Sequence, residues 1–219
     1  MIKIAEVVAQ LVQQSPFLTE ALAEGLINSS ALARRFQPEV EKALGKPVQT
    51  GAILMAINRM PTAGALAPAE KTLRQFFRKL SDISVRSNLS DYTYLHSDTL
   101  LNKQVRLLAV ISKHPKAFYS FSQGVSETTI LIPGFLEPQM ESIFKGERLL
   151  EKEKDLSAIT LMLPAENRAL YGIYYYIMKE LAWHGINVVE VISTSNEFTL
   201  VVTDQDLDQA FSVLMGLKK

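Results

Sequence analysis

The side chains that most often bind metals or act as nucleophiles are scarce in this chain. It has no cysteine, and its three histidines, His96, His114 and His184, lie far apart in the sequence. Disulfides, thiolate zinc sites and a cysteine nucleophile are therefore excluded, and a histidine metal site has little support. We predict that the chain holds no metal and no cofactor, and that its histidines are structural or surface residues.

The glycines do not form the motifs that bind phosphates or expose a catalytic serine. Gly124, Gly134 and Gly146 fall at turns between predicted elements, and the sequence contains no P-loop, dinucleotide-binding fingerprint or nucleophile elbow. Because no catalytic constellation is present, we predict that the chain is not an enzyme and has no catalytic residues.

Arginines near the N-terminus are the candidates for nucleic-acid binding, namely Arg34, Arg35 and Arg59. Residues 1–80 carry ten Lys and Arg against six Glu, whereas residues 81–219 carry thirteen Lys and Arg against seventeen Asp and Glu. The net charge of +4 on the first part attracts phosphates, although its density is low for a phosphate-binding surface. DNA binding through these arginines is one hypothesis.

The overall composition is that of a globular protein with enough apolar material for a core. Hydrophobic residues make up 47 % of the 219 residues, charged residues make up 21 %, and the formal net charge is zero. No stretch approaches the ~18 apolar residues of a membrane span, and Glu6 interrupts any signal-like segment at the N-terminus. We therefore expect a cytoplasmic protein that has no membrane contact.

The first sixty residues have the pattern of short helices. Helical periodicity predicts five of them, at about 4–12, 18–26, 30–36, 38–44 and 50–60. We predict a helical domain over residues 1–66 whose layout resembles a helix-turn-helix or winged-helix domain. The small, uncharged residues between Pro61 and Pro68 are typical of a domain edge.

From residue 67 onward the pattern changes to one amphipathic helix followed by strands that alternate with helices. The order β-α-β-β-α-β occurs at 82–153 and again at 156–219, where no closing strand is evident. We predict an α+β protein with a helical domain (1–66), a linker helix joined to a first ferredoxin-like subdomain (67–153), and a second ferredoxin-like subdomain (154–219).

A family resemblance lies in the second and third strands of the last subdomain. The segment 185–202, GINVVEVISTSNEFTLVV, is similar to the regulatory ACT domains of aspartokinases, where an Ile-Ser-Thr-Ser hairpin precedes an alternating strand. The similarity in element order covers about 156–216. The resemblance implies a tandem pair of ACT-type units that binds an amino acid. The chain departs from the family because it has no kinase domain.

The resemblance also implies a ligand pocket, formed by the turn after the first strand and by the second strand with its hairpin. The pocket residues are then Met162, Leu163, Pro164, Ala165, Glu166, Asn167, Val189, Glu190, Thr194 and Ser195. A free amino acid suits them, because amides near Asn167 would meet its carboxylate and Glu190 its ammonium group. Plain structural roles suit them too: Asn167 as a helix cap and Glu190 as an exposed strand residue. A weaker candidate turn in the first subdomain is 95–98.

Two functions follow from these patterns. The first is a non-catalytic regulatory protein that binds a small effector, an amino acid, through ACT domains and acts on a separately encoded partner enzyme. The alternative is an amino-acid-responsive transcription regulator that binds DNA. Because the missing closing strand leaves sheet edges unpaired, we also predict a homo-oligomer, most simply a two-fold dimer.

Overall fold

The computed structural model describes residues 3–23, 25–60 and 66–218, and the chain divides into two compact units, 1–73 and 74–219. Part of the predicted domain edge, residues 61–65, lies outside the described residues. Within the described ranges, no helix is long and apolar enough to cross a membrane.

Four helices form the described part of the first unit ahead of residue 61. They are α1 (Ile4–Gln13), α2 (Pro16–Ala23), α3 (Ser29–Leu44) and α4 (Thr50–Arg59). Their core is a cluster of buried apolar side chains from α1, α3 and α4, together with Val48 just before α4. No strand occurs among the described residues of this unit, so the winged-helix form lacks its wing there, and the helix-turn-helix layout stays a prediction.

Helix α3 is continuous where the sequence pattern predicted two helices, at 30–36 and 38–44. It runs through Pro38, which removes one backbone hydrogen bond from the helix. Phe36 and Val40, on either side of the proline, are buried in the core of the unit. Their burial offsets the lost hydrogen bond and keeps the helix intact.

The second unit is built on a six-stranded sheet in the order β2-β3-β1-β4-β6-β5, with antiparallel neighbours throughout. Helix α5 (Leu66–Arg78) spans the division between the units. The elements that follow are β1 (Ile83–Leu95), α6 (Leu100–Ile111), β2 (Ser120–Gln123), β3 (Glu127–Pro133), α7 (Glu137–Ile143), β4 (Leu149–Met162), α8 (Ile173–Trp183), β5 (Glu190–Ser193), β6 (Glu197–Thr203) and α9 (Leu207–Gly216). The chain thus combines helices with an antiparallel sheet, as predicted.

Strands β1 and β4 are long enough to serve two half-sheets. The first half-sheet is β2-β3-β1-β4 and the second is β1-β4-β6-β5. The two strands predicted at 147–153 and 156–163 are one strand, β4, so that prediction was wrong. The first part of β1, residues 83–86, pairs with 158–161 of β4 and closes the second half-sheet. The closing strand that the C-terminus lacks therefore comes from the start of the unit.

The two half-sheets repeat the same local structure. A residue with positive φ interrupts each long strand near its midpoint, Asn88 at 57° in β1 and Asp155 at 55° in β4. Each half-sheet also has a cross-strand threonine pair whose hydroxyls are hydrogen-bonded, Thr93 with Thr129 and Thr160 with Thr199. Positions in one half-sheet can therefore be compared directly with positions in the other.

Apolar side chains are buried on both faces of the sheet. On one face, α6 and α7 cover the first half-sheet, and the buried residues of α8 and α9 line the second. On the other face, a smaller cluster joins the two halves. It consists of Leu89, Leu131, Leu156, Ala158 and Val201, with Phe118, Val189 and Ile192 packed against it.

Candidate functional site

Two parts of the expected pocket meet at one corner of the second half-sheet. Strand β4 ends at Met162, which pairs with Glu197 at the start of β6. Directly after it, the Leu163 amide donates a hydrogen bond of 2.7 Å to the Asn196 carbonyl. The turn after β4 is thereby held against the β5–β6 hairpin. Of the predicted residues, 162–167 and 194–195 are brought together, and we call this place the β4 corner.

Asn167 joins the two parts of the β4 corner through its side chain. Its Nδ2 atom donates a hydrogen bond of 3.0 Å to the Ser195 carbonyl. It does not cap a helix, because a 3₁₀ turn (Ala165–Ala169) follows Pro164 and α8 begins only after Gly172, which has φ 87°. The helix cap considered from the sequence is therefore not present at this residue.

Arg168 is a residue of the β4 corner that the sequence analysis missed. Its Nη2 atom donates a hydrogen bond of 2.7 Å to Ser195 Oγ, and both side chains are exposed. A guanidinium group next to hydroxyl and amide donors is a common arrangement for binding a carboxylate. The one sequence signal for it is a positive charge immediately after the predicted turn.

Tyr174 of α8 forms an aromatic wall beside the hairpin. Its ring stacks on Phe198, with centroids 4.6 Å apart, and its hydroxyl lies 3.3 Å from Ser193 Oγ. The β4 corner therefore combines a flat apolar surface with polar groups, as small-molecule sites usually do.

Val189 and Glu190 lie away from the β4 corner. Glu190 begins β5, where it pairs with Val201, and it stands three residues before Ser193. Because side chains alternate along a strand, Glu190 and Ser193 point to opposite faces of the sheet. Val189 packs against the apolar cluster that joins the two half-sheets. The structure thus brings eight of the ten predicted ligand-binding residues together and separates these two from them.

Glu190 and Asp91 are partly buried carboxyl groups with raised pKa values. Burial, followed by the nearby charge of Asp91, raises the pKa of Glu190 to about 7. Burial also raises the pKa of Asp91 to about 6; a backbone hydrogen bond from Tyr92 lowers it, and the charges of Glu153 and Glu151 raise it. One oxygen of each carboxyl, Asp91 Oδ1 and Glu190 Oε2, is buried without a hydrogen-bond partner among the described residues.

We expect the stability of the second unit to fall as the pH rises from about 5 to about 8. Glu190 and Asp91 bind their protons more tightly in the folded protein than in the unfolded chain, where their pKa values are the ordinary 4.5 and 3.8. The resulting stabilisation is complete below those ordinary values and is lost as the pH rises through the folded ones. Urea unfolding at several pH values, followed by the fluorescence of Trp183, the single tryptophan, measures this slope.

Glu190→Gln should make stability depend less on pH. At pH 8 its free energy of unfolding should exceed that of the wild type by about 1 kcal/mol, which is less than the full pKa shift corresponds to because water screens a partly exposed group. Glu197→Gln is the matched control, since it removes an exposed carboxylate from β6. A slope that Glu190→Gln and Glu197→Gln change equally would contradict this prediction.

The three histidines make contacts of ordinary structural kinds. His96 Nε2 lies 3.0 Å from Thr128 Oγ1, the His114 ring packs edge-on against Phe135, and His184 Nδ1 lies 2.7 Å from a backbone carbonyl. In the part of the chain that the structure describes, no group of three or more His, Asp or Glu side chains is placed to hold a metal ion.

The candidate nucleic-acid residues are exposed on two helices of the first unit. Arg34 and Arg35 lie on α3, and Arg59 ends α4. Glu39 is exposed on the same helix as the first two and interrupts the basic surface.

Comparison with known proteins finds similarity in structure and not in sequence. No family model and no curated protein matches the chain. The fold is similar to that of aspartate kinase from Clostridium acetobutylicum, with a TM-score of 0.53 and 13 % identity over 64 % of this chain and 35 % of that chain. This chain thus spans about a third of that enzyme.

Two further solved structures are matched over nearly their whole length. One is the ligand-free regulatory subunit of aspartate kinase from Thermus thermophilus, with a TM-score of 0.52 and 8 % identity over 64 % of this chain and 99 % of that chain. The other is a structure of aspartokinase alpha and beta subunits, with a TM-score of 0.51 and 13 % identity over 63 % of this chain and 97 % of that chain. At such identities the likeness shows the fold, which is that of the aspartokinase regulatory domains.

Proposed function

We propose that this chain is a non-catalytic regulatory protein that binds a free amino acid at the β4 corner. The observation that supports this most is the match to a regulatory subunit over 99 % of its length. The polar groups at the corner agree with it. Arg168 and the side-chain amide of Asn167 are donors for a carboxylate, and the exposed Glu166 offers a negative charge to an ammonium group.

The regulated enzyme in this proposal is a separate chain. The Thermus thermophilus neighbour is named a regulatory subunit, and the Clostridium acetobutylicum neighbour is described as an allosteric enzyme. By analogy, an effector bound to this chain would change the activity of a catalytic partner through a difference in affinity between two states.

A thermal-shift screen of the purified chain against the twenty standard amino acids tests the proposal, because a ligand at about 100 times its dissociation constant adds about 2.7 kcal/mol to the folded state. One or a few amino acids should raise the melting temperature of the second unit. If none of them does so at millimolar concentration, the proposed amino-acid site is wrong.

We also propose a homodimer, for a different reason from the one given by the sequence. The missing closing strand is supplied by residues 83–86, so it no longer requires a partner. The remaining reason is a row of exposed apolar side chains on α6, together with an exposed aromatic side chain next to the edge strand β2. Leu101, Val105 and Leu108, spaced to lie along one side of α6, are all exposed, and so is Tyr119 next to β2.

Val105→Asp should convert the dimer into a monomer, because a charge in the centre of this surface would be buried without a partner and weaken association at least about ten-fold. Met215→Asp is the control, since Met215 is an exposed apolar residue of α9 on another part of the unit. Sedimentation velocity measures both. A wild type that is monomeric at micromolar concentration, or equal dimerisation of the two variants, would contradict the surface chosen.

The alternative function is DNA binding by the first unit with effector binding by the second. Its motivation is the exposure of Arg34, Arg35 and Arg59. A mobility-shift measurement at low salt, with the wild type and the Arg34→Ala, Arg35→Ala double variant, separates the two functions, because phosphate contacts weaken steeply with salt.

A further inference from the structure

The first half-sheet has a turn that is the counterpart of the β4 corner. It follows β1 and comprises residues 95–98. The His96 amide donates a hydrogen bond of 2.9 Å to the Ser126 carbonyl, just as the Leu163 amide donates to the Asn196 carbonyl. In each case the turn after a long central strand is joined to the hairpin of the neighbouring strands. Two equivalent places for a ligand are thereby created in one unit.

A carboxylate of the chain itself occupies the counterpart turn. Glu147 Oε2 accepts a hydrogen bond of 2.5 Å from Ser97 Oγ, and Glu147 Oε1 accepts one of 2.6 Å from Thr99 Oγ1. The ammonium group of Lys103 lies 2.8 Å from Oε1. The Glu147 side chain is only 3 % exposed, so these groups enclose it almost completely.

The donors around Glu147 hold it as a carboxylate. Burial acts to raise the pKa of Glu147, but hydrogen bonds from Lys103, Ser97 and Thr99 outweigh burial and lower it to about 2. One cation and two hydroxyl groups around a carboxylate are the groups that a receptor site for a carboxylate ligand provides. Here the ligand is attached to the receptor through the segment that leads into β4.

Within the described residues, the second half-sheet has no carboxylate at the position that corresponds to Glu147. The Leu95 amide donates a hydrogen bond to the Arg148 carbonyl, and at the matching position of the second half-sheet the Met162 amide donates one to the Asp82 carbonyl. The counterpart of Glu147 is therefore Ser81, the residue before Asp82, which carries no charge. The donors differ as well, because the residue corresponding to Ser97 is Pro164. The β4 corner instead presents Arg168, whose side chain is exposed.

We infer that Ser97, Thr99 and Lys103 form a carboxylate-binding site that is filled by Glu147 of the same chain, so that, of the two equivalent corners, the β4 corner is the one open to an external carboxylate. Because Glu147 occupies the site, no external ligand can bind at this corner of the first half-sheet. The same contacts link the start of α6 to the segment just before β4. The consequence that each chain binds one effector molecule, and not two, rests on the proposed function. The site itself does not.

Removal of the internal carboxylate should make the site accept a free one. In Glu147→Ala at neutral pH, about 100 mM acetate should raise the melting temperature by about 3–5 °C more than acetamide, its neutral analogue, at equal ionic strength. In the wild type the difference between the two compounds should be smaller, because only the β4 corner can then bind acetate. Glu147→Gln should respond like the wild type, because its side chain fills the space. Glu141→Ala, which removes an exposed carboxylate from α7, is the control.

A difference between acetate and acetamide that is no larger in Glu147→Ala than in the wild type would overturn the inference. If this variant does not fold alone, refolding from urea keeps the test decisive, since acetate and not acetamide should restore the folded fluorescence of Trp183. For the wild type, calorimetry with an amino acid that binds should give one molecule per chain. Two per chain would refute the closed first site and leave the proposed function standing, whereas no binding would refute that function and leave the acetate result unaffected.

Discussion

Ser84→Pro should unfold the second unit at much lower urea concentration than the wild type, while Val85→Pro should have a small effect. Both residues lie in the part of β1 that closes the second half-sheet, and they are adjacent in sequence. The difference arises from the direction of their backbone N–H groups. A proline removes one N–H, and its effect on a sheet depends on whether that group is hydrogen-bonded.

The hydrogen-bond pattern of the ladder assigns those directions. The Met162 amide donates a 3.0 Å hydrogen bond to the Asp82 carbonyl. In an antiparallel pair, hydrogen-bonded and non-hydrogen-bonded residue pairs alternate, so Ser84 with Thr160 is a hydrogen-bonded pair and Val85 with Ile159 is not. On its other side β1 pairs with β3 only from residue 89 onward. The N–H of residue 85 therefore points away from β4, towards the side of β1 on which β3 is not yet paired.

Ser84→Pro should cost about 2–4 kcal/mol, from a lost hydrogen bond, an unpaired acceptor on β4 and the bulk of the ring against that strand. Val85→Pro should cost less than about 1.5 kcal/mol, because residue 85 is partly exposed and its N–H lies at the free edge. Urea unfolding followed by Trp183 fluorescence reports on this unit. Equal losses in the two variants would show that residues 83–86 do not close the half-sheet as described.

Arg168→Ala should weaken amino-acid binding by about ten- to hundred-fold, since a hydrogen bond to a charged group contributes about 1.5–3 kcal/mol. Arg168 is the cationic group of the proposed site, and its guanidinium is positioned by Ser195 Oγ at 2.7 Å. Ser195→Ala should have a smaller effect in the same direction, because it frees the guanidinium without removing its charge. Calorimetry with the amino acid found in the thermal-shift screen measures both changes.

Glu190→Gln is the informative control for that experiment. The sequence suggested that Glu190 holds the ammonium group of the ligand, whereas the structure places it on the opposite face of the sheet from Ser193, next to Asp91. Its replacement should therefore leave the affinity unchanged while altering the pH dependence of stability. A large loss of affinity in Glu190→Gln with none in Arg168→Ala would move the site from the β4 corner to the other face.

The expected closing strand illustrates what sequence patterns miss. Residues 83–85 and 149–162 have the composition of strands, and the sequence predicts strands at both places. The sequence does not show which strands pair with them, because a strand pattern indicates which side chains face the core but not which strand is its neighbour in the sheet. One long strand that serves two half-sheets has the same local pattern as two short strands in succession. The merging of the strands predicted at 147–153 and 156–163 into β4 follows from this.

The sequence by itself determined the elements that depend on neighbours along the chain. These are the helical character of the first unit, apart from the continuity of α3, the alternation of strands and helices in the second, apart from the single strand β4, and the turn and hairpin that meet at the β4 corner. The likeness to the aspartokinase regulatory fold, visible in the segment 185–202, is confirmed by the solved structures. Such features depend on periodicity and turn chemistry, which act over a few residues.

Only the tertiary structure decided which distant groups meet. Glu147 lies on Ser97 and Lys103 although more than forty residues separate them, Arg168 reaches Ser195 across two elements, and Glu190 comes close to Asp91. These contacts depend on strand register, and a shift of one residue in register moves a side chain to the other face of the sheet. The pKa values of Glu147 and Glu190 could not be predicted from the sequence either, because they depend on burial and on groups that folding brings near.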